Sequence, residues 1–146
     1  MSPIHMKSIY ATFNGGGKAA LPELCQTLLE EQKTSWQELR EGYDGLTWVK
    51  ERRIQEGDFS VALQYNPQRI KSTVADIDPA AIKARPCFLC RRSLPKAQKA
   101  VLYRRRYLIL GNPFPIFASH FTIAHLDHIP QSLIGELPSL LQLAED

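Results

Sequence analysis

From Leu21 the apolar positions recur with helical spacing: Leu21, Leu24, Cys25, Leu28 and Leu29, continued by Trp36, Leu39 and Tyr43. This predicts helix from Leu21 to Tyr43. Pro22 sits in the first turn, where its missing N–H costs nothing. Ser35 followed by Glu38 has the form of a capping box, so a second helix is predicted to start there. Gly42 suits its end. Cys25 falls on the apolar stripe and reads as core. The period then changes from helical to two. Thr47 to Gln55 and Phe59 to Tyr65 predict a hairpin around Glu56, Gly57 and Asp58. Phe59, Val61, Leu63 and Tyr65 share one face, and Ser60, Ala62 and Gln64 the other. That is the pattern of an antiparallel sheet with one covered side.

Asn66-Pro67 ends the second strand, because the residue before proline avoids helical angles and proline cannot donate to a ladder. Gln68 to Asp76 carries no clear period. Asp78-Pro79 is a helix start, predicting a short helix to Ala84. Ala100 to Tyr103 and Tyr107 to Gly111 are strands around a basic turn, and His120 to His125 is another short strand. Between them, Asn112-Pro113-Phe114-Pro115 must be a stiff turn with two fixed φ angles. Leu133, Ile134, Leu137, Leu140, Leu141 and Ala144 are spaced as a helix, and Pro138 places its start near Leu137. Residues 1–18, with Ser2, Pro3, His5, Asn14, Gly15, Gly16 and Gly17, read as a flexible lead-in. Residues 19–146 read as one α+β domain.

Bulk composition adds two constraints. At 146 residues, 44% hydrophobic and 23% charged, the chain has the make-up of one globular domain. No run approaches the ~20 apolar residues of a membrane helix, and the first residues lack the apolar stretch of a signal peptide. Three cysteines without such a signal argue against a disulfide framework and for a cytoplasmic, reduced setting. The net charge is +3, but it is unevenly spread. From Pro79 to Leu126 there is no Asp or Glu, while Lys83, Arg85, Arg91, Arg92, Lys96, Lys99, Arg104, Arg105 and Arg106 all fall there. A block of this kind is either a solvated surface or the footprint of an anionic partner. Gly15-Gly16-Gly17-Lys18 lacks the spacing and the following Ser/Thr of a phosphate loop, and reads as linker.

The sharpest local feature is Arg85-Pro86-Cys87-Phe88-Leu89-Cys90-Arg91. Two thiols three positions apart on a turn reach one tetrahedral metal, and nearby arginines favour the thiolate that binds it. Zinc needs two further ligands, and His120, His125 and His128 lie downstream. The competing readings are a reduced turn pair and a redox pair. The redox reading is the weaker one, because no βαβ unit surrounds the motif. Asn66-Pro67-Gln68-Arg69 and Asn112-Pro113-Phe114-Pro115 are similar turns at strand ends. They are either plain turn chemistry or polar groups presented to a ribose or phosphate, with Arg69 able to grip phosphate bidentately.

From Cys87 onward the order is Cys-x-x-Cys, the strand Tyr107 to Gly111, Asn112-Pro113-Phe114-Pro115, the strand His120 to Ala124, then a loop ending in His128-Ile129. This order resembles the histidine-triad (HIT-like) superfamily. It is similar to the branch of galactose-1-phosphate uridylyltransferase, diadenosine tetraphosphate phosphorylase and GDP-hexose phosphorylases, and looks closest to an uncharacterised bacterial family of that branch. The resemblance covers the N-terminal part of such a domain. It implies a half-barrel of antiparallel strands with the N-terminal helices packed on it. It also implies a zinc held by Cys87, Cys90 and His128, and a nucleotide site using Asn66, Arg69, Asn112, Phe114 and Pro115. The partner would be a nucleoside di- or polyphosphate or a nucleotide sugar. The family's nucleophile lies in a His-x-His-x-His or His-x-His-x-Gln motif, and the histidines here are only His5, His120, His125 and His128. No catalytic residue is therefore expected among these positions. The incomplete sheet implied by the resemblance would pair with a second copy. The alternative is a non-catalytic metal knuckle with a basic face for RNA.

Overall fold

The computed structural model describes residues 8–17, 19–69 and 76–146. Its elements are β1 (Ile9–Phe13), α1 (Leu21–Ser35), α2 (Gln37–Asp44), β2 (Lys50–Glu56), β3 (Phe59–Tyr65), α3 (Pro79–Ala84), β4 (Ala100–Tyr103), β5 (Tyr107–Gly111), β6 (Phe121–His125) and α4 (Leu137–Glu145). The fold is α+β. A four-stranded sheet has the order β1-β4-β5-β6, and β2 and β3 form a separate hairpin.

β4 and β5 are continuous apolar runs because both their faces are buried. On one face Val101, Tyr103, Tyr107 and Ile109 pack with Phe13 and with Leu21, Cys25 and Leu28 of α1. On the other, Ala100, Leu102, Leu108, Leu110 and Ala124 are covered by Leu89, Leu94 and Leu126. The segment carrying the cysteine pair is thus a cover of the sheet. A third cluster, Leu29, Trp36, Leu39 and Tyr43, joins the two helices. Gln32, fully buried in α1, donates to the Ala97 carbonyl at 3.0 Å and ties the helix to the approach to β4.

Several expectations are corrected. The lead-in is not structureless throughout: Ile9–Phe13 is a strand, since its apolar residues pack beside β4. β1 runs parallel to β4, so the sheet is mixed rather than purely antiparallel. Ser35 does not cap α2. Its hydroxyl donates back to the Glu31 carbonyl at 2.9 Å, and Trp36 takes the cap position. The hairpin has no covered side among the described residues, with Phe59, Leu63 and Tyr65 52–64% exposed. Its register places Arg52 opposite Leu63 and Lys50 opposite Tyr65, so charged residues share the apolar face.

Two devices set the geometry around the sheet. Gly42 lies inside α2 rather than at its end. A Cβ there would fall well under 3.0 Å from the Pro113 carbonyl oxygen and 3.1 Å from Pro115 Cδ. The helix therefore seats the Asn112–Pro115 turn through a position that has no side chain. Secondly, the β4–β5 turn places Arg104 and Arg105 at φ 46° and 55°. Arg106 N donates to the Tyr103 carbonyl at 3.0 Å, which closes a type I′ turn. Left-handed non-glycine residues cost roughly 1–2 kcal/mol each. Flanking contacts offset this cost. Arg104 and Tyr103 both hold Asp146, at 2.8 and 2.6 Å, while Arg106 and Tyr107 both hold Glu136. The two carboxylates bracket α4, none of whose residues is buried. No helix among the described residues is long and apolar enough to cross a membrane.

Candidate metal centre and anion corner

Cys87 and Cys90 come together because the chain turns between them, with Cys90 N donating to the Cys87 carbonyl at 3.1 Å. Leu89 is anchored in the core beneath them while Phe88 points to solvent at 68% exposure. The loop after β6 delivers His128, whose Nδ1 lies 2.9 Å from Cys90 Sγ. The ligand atoms of Cys87, Cys90 and His128 all fall within 4.8 Å of one another. A tetrahedral zinc with bonds of about 2.3 Å to sulfur and 2.0 Å to nitrogen needs S···N near ~3.5 Å and S···S near ~3.8 Å. Side-chain adjustments of about an ångström, well within rotamer freedom, turn the present triangle into that shape. Two thiols and an imidazole are also the donor set that zinc prefers.

The local electrostatics suit a cation. The backbone amide of Leu89 donates to the Cys87 sulfur and holds that thiol below its usual range, while burial and the neighbouring Cys87 push Cys90 up. Such a split is what two close sulfurs produce when only one ionises readily. Cys25, buried in the core, is pushed up to about 11 by burial and stays out of this chemistry. His120 and His125, both candidate ligands from sequence, are not in the cluster. His125 Nδ1 accepts from Asp127 N at 3.0 Å, and His120 belongs to a different corner. The metal triad lines an open groove of about 1100 Å³ that follows the β6 edge to Tyr107, Glu136 and Leu140.

The second corner is where the two Asn-Pro turns meet. Gln64 Nε2 reaches the Ile116 carbonyl at 3.4 Å, linking the end of β3 to the loop after β5. Both asparagines spend their carbonyl oxygens on their own turns: Gln68 N donates to Asn66 at 3.0 Å and Phe114 N to Asn112 at 2.8 Å. Asn112 Nδ2 also donates to Thr122 Oγ1 at 3.1 Å. Phe114 is half-buried and Pro115 fully buried, which makes Pro115 a support for the turn rather than a surface. The nitrogen-bearing side chains of this corner are the Arg69 guanidinium and the His120 imidazole. His120 is fixed by four bonds, one of them from Asn112 N to its carbonyl at 2.9 Å. Its backbone N–H donates to the Tyr43 hydroxyl, its carbonyl accepts from that hydroxyl, and its Nδ1 accepts from Ile116 N at 3.1 Å. Neutral His120 therefore carries its proton on Nε2. Burial, then the Arg69 charge, lower its pKa. Sequence reading placed His120 among metal ligands and Tyr43 in the core. Nothing in their spacing signals that they clasp one another 77 positions apart.

The fold is a mixed-sheet α+β domain with a cluster of three residues that could hold a metal ion and, apart from it, a corner that carries Arg69 and His120. The chain belongs to the family described as Domain of unknown function (DUF4922), which matches residues 28–146. No curated protein and no solved structure shows a significant match.

Proposed function

We propose that this chain is the zinc-stabilised nucleotide-binding portion of a HIT-like nucleotidyltransferase or of a nucleotide-sugar or dinucleotide phosphorylase. The reading rests on one observation above all: the two Asn-Pro turns are brought together, Gln64 reaching the Ile116 carbonyl while Arg69 N donates to the Asn66 carbonyl and Asn112 N to the His120 carbonyl, so that Arg69 and His120 belong to one corner. A guanidinium beside a neutral imidazole that presents an N–H offers an anion one positive charge and a second donor. A phosphate oxygen would take the Arg69 guanidinium and the His120 Nε2–H. The Asn66 and Asn112 turns fix both groups, Phe114 flanks the corner, and Pro115 braces it from below. Cys87, Cys90 and His128 would hold Zn²⁺, which would cross-link the sheet cover to the loop after β6 without taking part in bond making. These residues bind and orient. The nucleophilic histidine that the resemblance calls for is not among them.

The test is titration of the full chain with inorganic phosphate, GDP and ADP by calorimetry. Charge-assisted hydrogen bonds are worth about 1.5–3 kcal/mol, so Arg69→Ala should weaken nucleotide affinity about ten- to a hundredfold. Equal affinity in the variant would sink the assignment. An RNA oligonucleotide bound more tightly than any mononucleotide, with affinity falling steeply with salt, would instead select the basic-knuckle alternative. Two of the nine window cations, Arg104 and Arg106, already pair with carboxylates, which weighs against that alternative.

A further inference from the structure

We infer that Cys87 and Cys90 form a peroxide-oxidisable dithiol, whose closure to a disulfide dismantles the metal centre. This deepens the metal reading above and rests on it for its consequence, though not for its chemistry. Three observations carry it. The i to i+3 hydrogen bond from Cys90 N to the Cys87 carbonyl defines a turn, and turns bring their end Cα atoms within about 7 Å. That range overlaps the Cα separation of disulfides, about 4.4–6.8 Å, and the two sulfurs are already within 4.8 Å. Bond formation therefore needs side-chain rotation rather than refolding. Secondly, the pair is reachable. Both cysteines are only half-buried, His128 is exposed, and all three line the open groove along β6. Thirdly, the protein's other cysteine, Cys25, is enclosed by Leu21, Leu28 and Tyr103 in the core, so oxidant is directed to one site.

The step balances with a hydroperoxide as oxidant. One sulfur attacks the peroxide oxygen, the O–O bond breaks, and the first water leaves as a sulfenic acid forms. The second sulfur then attacks the first, the S–O bond breaks, a second water leaves and the S–S bond forms. Two thiols and one hydrogen peroxide become one disulfide and two waters. Neither sulfur then retains the charge that a zinc ligand needs, and His128 alone cannot hold the ion. The segment around Leu89 and Leu94 loses its tie to the loop after β6, while its apolar anchors keep it on the sheet.

The purified full chain is reduced, divided, and one half is loaded with zinc chloride. Both halves receive hydrogen peroxide, followed by differential alkylation and peptide mass mapping, with released zinc read by a chromophoric chelator. The expected result is a Cys87–Cys90 disulfide, a mass lower by two hydrogens, in both halves. Zinc should be released in step with disulfide in the loaded half and rebound after thiol reduction, with Cys25 still alkylatable only after denaturation. Cys25→Ala should leave all of this unchanged. Over-oxidation of either cysteine without disulfide, or zinc retained after the disulfide forms, overturns the inference. A chain that forms the disulfide but never takes up zinc keeps the oxidisable pair and overturns the metal reading instead.

Discussion

Replacing Gly42 by alanine sets two effects of opposite sign against each other. Helix propensity alone favours the change, since alanine stabilises a helix interior over glycine by about 1 kcal/mol. At this position, however, the new methyl would land on the Pro113 carbonyl oxygen and against Pro115 Cδ. To regain ordinary van der Waals separation the oxygen must retreat by about 1.5 Å. It cannot do so cheaply, because the turn is stiffened by two prolines, pinned by Asn112 and clasped through Tyr43 and His120. Overpacking costs about 1–3 kcal/mol, and so short a contact with the backbone of a stiff turn falls in the upper part of that range, about 2–3 kcal/mol, so after the propensity gain the net loss is about 1–2 kcal/mol. In a chain of this size that lowers Tm by about 3–8 °C. Differential scanning calorimetry of Gly42→Ala beside Glu41→Ala, an exposed neighbour expected to shift little, checks it. A Tm that rises, as propensity alone requires, would show that α2 does not seat the turn and would remove the support argued for the anion corner.

Other outcomes follow from the same geometry. Cys90→Ser or His128→Ala should abolish stoichiometric zinc uptake measured by elemental analysis, whereas Cys25→Ala should not. Asp146 and Glu136 are held below the ordinary carboxylate range, chiefly by the Tyr103 and Tyr107 hydroxyls respectively. Their folded pKa is depressed, so their contribution is complete above the unfolded value near about 4. It is lost as pH falls through the lower folded value. Asp146→Asn should therefore flatten the acid limb of a Tm-versus-pH curve and leave its shape at neutral pH unchanged. On the exposed hairpin face, Leu63→Ser should change stability by less than about 0.5 kcal/mol in a denaturant titration. A loss of several kcal/mol would mean that the face is covered.

The legible parts of the fold were those where one local signal decides. The runs Ala-Val-Leu-Tyr and Tyr-Leu-Ile-Leu-Gly became β4 and β5 because burial on both faces leaves no polar position. Asp78 caps α3 through its own carboxylate, accepting from Ala80 N at 2.8 Å. The Cys87–Cys90 pair was legible as a turn with two thiols, whereas the choice of His128 over His120 and His125 came from the resemblance; the structure brings these three into a cluster that could hold a metal. What sequence did not show depends on partners remote in the chain. A strand of five residues after a glycine-poor start, Ile9–Phe13, has no period long enough to announce itself. It exists because β4 offers a free edge. The hairpin's alternation predicted a covered face, but alternation reports amphipathicity and not the presence of a partner. Ser35 and Gly42 matched terminus signals that tertiary packing overrode. Residues 70–75, part of the stretch without a clear period, lie outside the described residues.

The two tyrosine–arginine–carboxylate clasps give α4 an unusual kind of attachment. Both ends of the helix are fastened to the same five-residue hairpin tip, Tyr103 to Tyr107, and between those fastenings no side chain is buried. Leu143 alone leans on the core. The helix is thus held by charge at its ends more than by oil along its length, and charge is what ionic strength dilutes. In amide exchange, α4 should behave as a unit of its own, opening faster as salt is raised while β4 and β5 keep their protection. The tip that fastens it, with its two left-handed arginines, would relax in the same event, so that one local opening reaches from the end of the hairpin to the wall of the β6 groove.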